Sequence, residues 1–333
     1  MKIFVCEFVT GGGLAGGPLP ASLTREADLI LRTLLSELSA VPDVELLTSR
    51  DPRLPPVAGI EALVPRTGES FLSLYHRGLD LVDAAWPTAP ESGGALLQLT
   101  GATTERGRLL LGSRPEAVAL ATSKRATVTH LERAGIPVVP TASTVAEIAE
   151  RPGCWVVKPD DGAGCEETIV HESWEAARVS LATMPAGRFV VQPWVEGDAL
   201  SLSLLCREGT ARLLSVNRQR MERDSGRLRL AGLEVNALPD HNGRFQLLAH
   251  RIARALPSLW GYVGVDLINT SAGPVVLEIN PRLTTSYCGL GPALGINVAQ
   301  QVLALLDPSR PVEPAIVPRG APVTLQLEVA GDG

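Results

Sequence analysis

Two carboxylates and one amide stand close together near residue 270 of this chain, in a pattern typical of a metal-binding hairpin. The segment 275–280 carries Glu278 and Asn280, and because side chains alternate along a strand, both point to the same face. A hairpin centred on Ala272 places Asp266 directly opposite Glu278. Like charges that face each other across a sheet repel, and a bound cation reverses the sign of that interaction.

Oxygen ligands of this kind suit a hard divalent ion, Mg²⁺ or Mn²⁺, that carries nucleotide phosphates. The competing interpretation is an acidic, solvated hairpin end. Leu267, Val276 and Ile279 make the two strands too apolar for a free surface. The pattern therefore favours a metal site with the three oxygen-bearing residues as its ligands.

A lysine at the end of an apolar strand leads into a glycine loop. Trp155 to Lys158 is predicted to be a buried strand, and Gly162, Ala163 and Gly164 follow it. Glycines let backbone N–H groups approach a polyphosphate, and the lysine adds a compact positive charge. An ordinary β-turn with an exposed lysine has much the same sequence, so both interpretations stay open for this motif alone.

A strand that ends at a proline continues in extended form into the next unit at residues 189–195. Free backbone groups at such an edge pair with a purine ring, and Trp194 and the neighbouring valines supply an apolar slot. The candidate adenine contacts are Gln192, Pro193, Trp194 and Val195. Without the neighbouring motifs, an ordinary interdomain linker is the better interpretation.

Composition narrows the class of protein. The 333 residues are 45% hydrophobic, enough for two or three compact units with sizeable cores. A net charge of −6 without a basic block argues against nucleic acid as a main partner. No apolar run is long enough to span a membrane, and Glu7 interrupts the short apolar stretch at the N terminus, so a cytoplasmic location is expected. The five cysteines lack metal-binding spacing and are interpreted as reduced thiols.

The first third of the chain has the pattern of an α/β domain. An apolar strand from Lys2 to Val9 leads into a glycine-rich turn at residues 10–17, and a helical pattern follows from Leu23 to Leu38. A helix is predicted over 71–84. The Ser-Arg-Pro-Glu sequence at 113–116 predicts the start of one further helix over 116–134.

These elements divide the chain into three predicted parts. An N-terminal α/β domain covers 1–114, a small central α+β unit covers 115–195, and a C-terminal unit of mainly antiparallel strands covers 196–333. The fold class is therefore expected to be α/β with α+β parts.

In order and spacing these motifs resemble the ATP-grasp superfamily over roughly residues 113–306. In that family an N-terminal domain precedes a helix lysine, a strand lysine before a glycine lid loop, an adenine hinge, and an acidic strand pair that ends in Glu-x-Asn-Pro-Arg. The resemblance implies an ATP-grasp fold in which Lys124 and Lys158 contact ATP phosphates. It also implies that the hinge holds adenine and that Asp266, Glu278 and Asn280 hold Mg²⁺.

The chain departs from the family pattern at two places. The acidic ribose contact would fall on Ala199, with Asp198 one place early, and Gly264 stands where relatives often carry an arginine. Charge on the transferring phosphoryl group must then be neutralised from elsewhere. The nearest candidates are three polar residues of the preceding strand, Asn217, Arg218 and Arg220. Asn217 is expected to contact the cofactor, and Arg218 is expected to have a catalytic role. A solvated charge run is an equally good interpretation of these three.

A narrower resemblance concerns the chemistry. The opening Glu7-x-x-Thr10-Gly-Gly-Gly and the tail from Asn280 to Tyr287 are similar to the tyramine-glutamate ligase group of methanofuran and methylofuran biosynthesis. This implies an ATP-dependent ligase that activates a carboxylate as an acylphosphate and joins it to a primary amine, with glutamate and tyramine as substrates. Arg282, together with Lys158, would then act on the reacting groups, although Arg282 is also interpretable as a tie between the sheet and the next loop.

Two other functions stay open. One is a kinase of the same fold that phosphorylates a small molecule, and the other is a nucleotide-binding regulatory module without catalysis. The expected partners are small-molecule carboxylate and amine substrates, with no nucleic acid and no membrane, and a homodimer is left open.

Overall fold

The computed structural model describes residues 1–312 and 320–327. Its N-terminal part is a parallel five-stranded sheet with the strand order β3-β2-β1-β4-β5. The strands are β1 (Lys2–Glu7), β2 (Glu45–Ser49), β3 (Glu61–Leu63), β4 (Ala84–Thr88) and β5 (Leu109–Leu110), and the helices are α1 (Ala21–Ser39), α2 (Phe71–Leu79) and α3 (Ala95–Glu105).

Strand β1 is buried on both faces, which explains its nearly unbroken apolar sequence. Ile3 and Val5 share a core with α1, whereas Phe4 and Cys6 share another with α2 and α3. The strand order reverses between β1 and β4, and loops at such a point form a crevice at the carboxyl ends of the strands. The loop after β4, residues 89–94, lies at this crevice.

The glycine-rich segment after β1 is a π-helical turn over Val9–Gly13. The Glu7 carboxylate fixes it by accepting hydrogen bonds from the backbone N–H and hydroxyl of Thr10, both at 2.7 Å. The prediction of a helix over 71–84 is wrong at its end, because α2 stops at Leu79 and residue 84 begins β4.

Two short helices follow, α4 (Pro115–Thr122) and α5 (Lys124–Arg133). The single helix predicted over 116–134 is wrong, because Ser123 is extended with φ −94° and ψ 116°. Its Oγ accepts a hydrogen bond from the Ala126 N–H at 3.0 Å and so caps α5. The break places Lys124 at the first position of a helix.

The central unit is a small antiparallel sheet with one helix. Its elements are β6 (Trp155–Pro159), β7 (Ile169–His171), α6 (Trp174–Thr183) and β8 (Phe189–Pro193). Strand β6 lies between β7 and β8. The central unit has a separate hydrophobic core beneath α6, which includes Trp155, Val157, Phe189 and Val191.

The C-terminal unit extends the same sheet in the order β13-β12-β9-β10-β11-β7-β6-β8, with β14 on β11. Its elements are β9 (Asp198–Arg207), β10 (Thr210–Asp224), β11 (Arg227–Leu238), α7 (Arg244–Ala255), β12 (Gly261–Thr270), β13 (Gly273–Asn280), α8 (Tyr287–Leu294), α9 (Val298–Ala304) and β14 (Val323–Gln326). The tip of the β10–β11 hairpin reaches the central unit, where Arg227 pairs with Ile169.

Helix α1 packs against both the N-terminal sheet and the C-terminal unit. Its apolar face, with Ile30, Leu34 and Leu38, packs in one core with residues of α8, α9 and β11. This packing brings the N-terminal turns of α1 to the edge of the C-terminal unit.

The expected fold class is confirmed, with a parallel α/β sheet followed by antiparallel α+β units. The sequence analysis did not predict β2, β4, β5, α3, α8 or β14. The division at residues 114 and 195 stays a prediction. In the part of the chain that the structure describes, no helix is long and apolar enough to cross a membrane.

Candidate active site

The acidic hairpin has the predicted pairing, because Asp266 lies opposite Glu278. The turn alone does not produce it. Leu267 pairs with Val276, so a regular ladder would continue with Asp266 opposite Leu277. A β-bulge between these two pairs makes Leu277 the extra residue and moves Glu278 into register with Asp266.

The bulge also decides which side chains reach the cavity. Val276 and Glu278 are two residues apart and would share a face in a regular strand. Instead, Val276 is fully buried in the core, whereas Leu277, Glu278 and Asn280 all line a cavity. The extra residue therefore turns Glu278 out of the core and adds Leu277 to the cavity wall.

This cavity has a volume of about 440 Å³ and lies between the central unit, the C-terminal sheet and α1. Most of the predicted site residues line it, namely Lys124, Lys158, Gly162, Gly164, Gln192, Pro193, Trp194, Val195, Asp198, Arg218, Asp266, Glu278, Asn280 and Arg282. Ala163 and Asn217 are not among the residues that line it.

Asp266 is held by two neutral donors. Its Oδ1 accepts from Gln219 Nε2 at 2.9 Å, and its Oδ2 accepts from Asn280 Nδ2 at 3.0 Å. Burial raises the pKa of Asp266, and the negative charge of Glu278 raises it further. Both effects disfavour the charged carboxylate.

Glu278 has the opposite environment, with two cations beside it. Its Oε2 lies 3.5 Å from Lys124 Nζ and 3.7 Å from Lys158 Nζ. Burial alone would raise the pKa of Glu278, but the two lysines outweigh that effect and lower it. For Lys158, burial lowers the pKa in spite of the nearby Glu278.

The donor set fits a hard divalent cation. Two carboxylates converge there. A rotation of the Asn280 side-chain amide by about 180° would exchange its oxygen and nitrogen and direct the oxygen at the cation as a third ligand. Among residues 1–312 and 320–327, no three His, Cys, Asp or Glu side chains are grouped to hold a metal. The candidate centre therefore depends on an amide as its third ligand.

The lid loop, residues 160–168, is docked on the start of α5. Lys124 Nζ donates to the Gly162 carbonyl at 2.5 Å, and the Lys124 N–H donates to the Asp160 carbonyl at 3.0 Å. From the other side, the Gly93 N–H donates to Asp161 at 3.1 Å. A lysine predicted to bind phosphate thus holds the lid loop in this state.

The hinge after β8 lies along the cavity. Gln192 Nε2 donates to Thr141 Oγ1 at 2.7 Å, so this side chain is fixed within the protein. The Trp194 N–H donates to the Cys154 carbonyl at 2.8 Å and is already paired. Trp194 is 37% exposed and lines the cavity together with Val195.

Arg282 forms a two-pronged ion pair with Glu91, from the loop after β4. Its Nε donates to Oε1 at 2.9 Å, and its Nη2 donates to Oε2 at 2.8 Å. The Nη1 atom donates to the Leu283 carbonyl at 3.1 Å, which ties the following loop to the sheet. Arg218, in contrast, is half-exposed and lies 3.7 Å from Glu234.

The structure does not place Asn217, a predicted cofactor contact, in the cavity wall. Its side chain is fully buried, and Nδ2 donates to the hydroxyls of Ser201 and Ser203 at 3.2 and 3.1 Å. Its Oδ1 accepts from Ser215 at 2.7 Å. Since Ser201 lines the cavity, Asn217 supports the wall from behind.

Comparison with known protein families decides the affiliation. A family model described as an ATP-grasp domain matches residues 121–286, and one described as a pre ATP-grasp 3 domain matches residues 44–118. The chain belongs to the ATP-grasp superfamily. The ATP-grasp match spans both candidate lysines, the lid loop, the hinge and the acidic hairpin.

Two curated relatives are informative. The tyramine–L-glutamate ligase of Methanocaldococcus jannaschii is 29% identical over 209 residues, which cover 63% of this chain and 58% of that protein. A protein of Xanthomonas axonopodis pv. citri, named "Probable alpha-L-glutamate ligase", is 32% identical over 158 residues, or 46% of this chain and 51% of that protein. The alignment thus covers only about half to three-fifths of these relatives.

Among solved structures, an ATP-grasp superfamily protein from Archaeoglobus fulgidus superimposes with a TM-score of 0.71 at 24% identity, over 91% of this chain and 88% of that chain. This likeness supports the fold.

Three residues of this ATP-grasp site were missed by the sequence analysis. Gln219 orients Asp266, Glu91 orients Arg282, and Glu26 of α1 lines the cavity. Gln219 stands two residues after the predicted Asn217 on β10, so alternation along the strand, which places both on one face, was a usable signal for it. Glu91 and Glu26 belong to other parts of the chain, and only tertiary packing brings them to the site.

Proposed function

We propose that this ATP-grasp chain is an ATP-dependent ligase that joins a carboxylate to a primary amine. The observation that carries the proposal is the convergence of the acidic hairpin with Lys124 and Lys158 in one cavity that the hinge and the lid loop also line. The cavity volume of about 440 Å³ falls within the range of small-molecule sites.

The residues suggest how ATP lies in the cavity. The apolar hinge around Trp194 and Val195 suits adenine, and the two lysines suit the phosphates. Asp266, Glu278 and Asn280 would hold Mg²⁺, which when bound neutralises phosphate charge. Asp198, near the hinge, is the proposed ribose contact.

The proposed reaction has two steps, because a carboxylate does not acylate an amine in water without activation. A carboxylate oxygen of the substrate attacks the γ-phosphorus, the bond to the β,γ-bridging oxygen breaks, and ADP leaves. The amine nitrogen then attacks the acylphosphate carbonyl carbon, and phosphate leaves with the bonding electrons. Arg282, held by Glu91, offers its remaining N–H groups to the developing oxyanion. The lid loop keeps water from the acylphosphate.

The proposed carboxylate substrate is glutamate, and the proposed amine is tyramine. The names of both curated relatives include glutamate, and the name of one of them also includes tyramine. On this basis the chain would serve methylofuran-type cofactor biosynthesis, in the cytoplasm.

The test is a product assay with the full chain, ATP, Mg²⁺, glutamate and tyramine. We expect ADP release that depends on both substrates, and an amide product by mass spectrometry. Lys158→Ala and Glu278→Gln should lower turnover by at least about 100-fold. Lys2→Ala is a matched control, because the exposed pair of Lys2 with Glu61 lies in the N-terminal sheet. It should leave turnover unchanged.

Two outcomes would contradict the ligase proposal. A stable phosphorylated product without amide would indicate a kinase. Stabilisation of the fold by ATP and Mg²⁺ without ADP release, across a panel of acids and amines, would indicate a regulatory module.

A further inference from the structure

One part of the cavity wall lies outside the nucleotide and metal contacts. It consists of Glu26 from the start of α1, Ser201 from β9, and the segment Thr284–Ser286 after the acidic hairpin. We call it the acceptor wall. It exists because α1 packs against the C-terminal unit through the shared core, so an N-terminal helix contributes to a site that is otherwise C-terminal.

Glu26 is the acidic residue of the acceptor wall. The Thr285 hydroxyl donates a hydrogen bond to Glu26 Oε1 and so positions the carboxylate. Thr285 itself is buried. No Lys, Arg or His side chain among the described residues lies within ion-pair distance of Glu26, whereas Glu278 and Glu91 both have cationic partners.

An anion-binding group lies close to this carboxylate. Arg282 lines the same cavity as Glu26 and stands three residues before Thr285, whose hydroxyl binds the Glu26 carboxylate. Glu91 already forms the ion pair with the Arg282 guanidinium. The Glu26 carboxylate can therefore pair with a different cation. The wall therefore offers a carboxylate beside the arginine that faces the reacting carboxylate.

The apolar lining nearby suggests the body of such a cation. Leu233 lines the cavity and belongs to the same core as Ile30 of α1 and Tyr287. Leu230 also lines the cavity and packs against that core. A charged head group at Glu26 can thus continue into an apolar chain or ring against β11.

We propose that Glu26 binds the ammonium group of the amine substrate and then accepts its proton. This assignment rests on the proposed ligase function. A primary alkylamine, like a lysine side chain, has a pKa of about 10 and arrives protonated. Transfer of a proton from nitrogen to the Glu26 carboxylate frees the lone pair, which attacks the acylphosphate carbonyl as the bond to the phosphate oxygen breaks. The substrate class is a primary amine with an apolar body.

The experiment supplies the full chain with ATP, Mg²⁺ and glutamate, and compares two nucleophiles, tyramine and hydroxylamine. Tyramine must lose a proton before it reacts, whereas hydroxylamine is largely uncharged near neutral pH and traps an acylphosphate as a hydroxamate. In Glu26→Gln, the KM for tyramine should rise, or its kcat fall, by at least about tenfold. The KM for ATP and the rate of hydroxamate formation should stay within about twofold of the unsubstituted protein.

Asp28→Asn is the matched control. Asp28 lies on the same helix, pairs with Arg32 and Arg50, and does not belong to the cavity lining. It should change neither reaction. An equal loss of amide and hydroxamate in Glu26→Gln, or an unchanged reaction with tyramine, would overturn the assignment. Absence of hydroxamate from the unsubstituted protein would overturn the proposed function, and the Glu26 assignment with it.

Discussion

At the scale of single residues, the two facing carboxylates of the hairpin are compensated unequally. Glu278 has two lysines beside it, whereas Asp266 accepts its hydrogen bonds from the neutral amides of Gln219 and Asn280. Without a cation, the charged form of Asp266 therefore costs folding free energy. Such a cost is typical of sites that are completed by a ligand.

The first prediction concerns this cost. Because the folded-state pKa of Asp266 is raised, folding disfavours its ionised form, and the penalty is fully present above the folded pKa. Asp266→Asn should therefore increase the free energy of unfolding by about 1–2 kcal/mol at about pH 8 without divalent ions. Asn280 can turn its amide to accept from the new donor.

Urea unfolding at two pH values checks this prediction. The gain should shrink as the pH falls toward about 4, since Asp266 is then protonated in the native protein. Addition of ATP and Mg²⁺ should stabilise the unsubstituted protein and have much less effect on the variant. A variant that is less stable than the parent at about pH 8 would contradict the electrostatic account.

At the scale of elements, the sequence was enough to assign the motifs to strands and helices. It was not enough to predict the β-bulge and the helix break that orient their side chains. Alternation along β13 correctly paired Glu278 with Asn280 on one face, and the lysine before the glycine loop was correctly placed on β6. The bulge at Leu277 has no local signature, because an apolar residue there suits either a regular or a bulged strand.

The break between α4 and α5 illustrates a second limit. Residues 115–133 have continuous helix-forming character, and Ser123 is tolerated inside helices as well as at their starts. In the structure, the lid loop accepts the N–H and Nζ hydrogen bonds of Lys124 through the carbonyls of Asp160 and Gly162. A long-range contact therefore selects the cap over the continuous helix.

The second prediction tests whether that cap positions Lys124. Ser123→Ala removes the acceptor for the Ala126 N–H and should lower the free energy of unfolding by about 1 kcal/mol. Because Lys124 follows the cap directly, the KM for ATP should also rise several-fold. Measurements of thermal unfolding and of steady-state kinetics give the two quantities separately.

Ser173→Ala is the matched control for this cap. Ser173 accepts from the Ala176 N–H at the start of α6, which does not contribute to the cavity lining. Its removal should lower the free energy of unfolding by a similar amount and leave the KM for ATP unchanged. Equal effects of the two variants on KM would show that the cap acts only through stability.

At the scale of the whole molecule, the loop at residues 89–94 links the N-terminal sheet to both halves of the site. Glu91 binds Arg282, and the Gly93 N–H binds Asp161 of the lid loop. The loop lies at the point where the strand order of the parallel sheet reverses, a common position for ligand-binding loops. The N-terminal unit thus touches both the arginine and the lid.

The third prediction tests whether this contact serves the reaction. Glu91→Gln leaves the buried side of Arg282 without a negative partner, and should lower the free energy of unfolding by about 1–3 kcal/mol. Since the guanidinium then lacks its two-pronged anchor, kcat should fall at least about tenfold with little change in the KM for ATP. Glu69→Gln breaks a similar two-pronged pair with Arg77 inside the N-terminal unit. That control should lose stability and keep kcat, and an equal fall of kcat in both variants would reduce Glu91 to a structural residue.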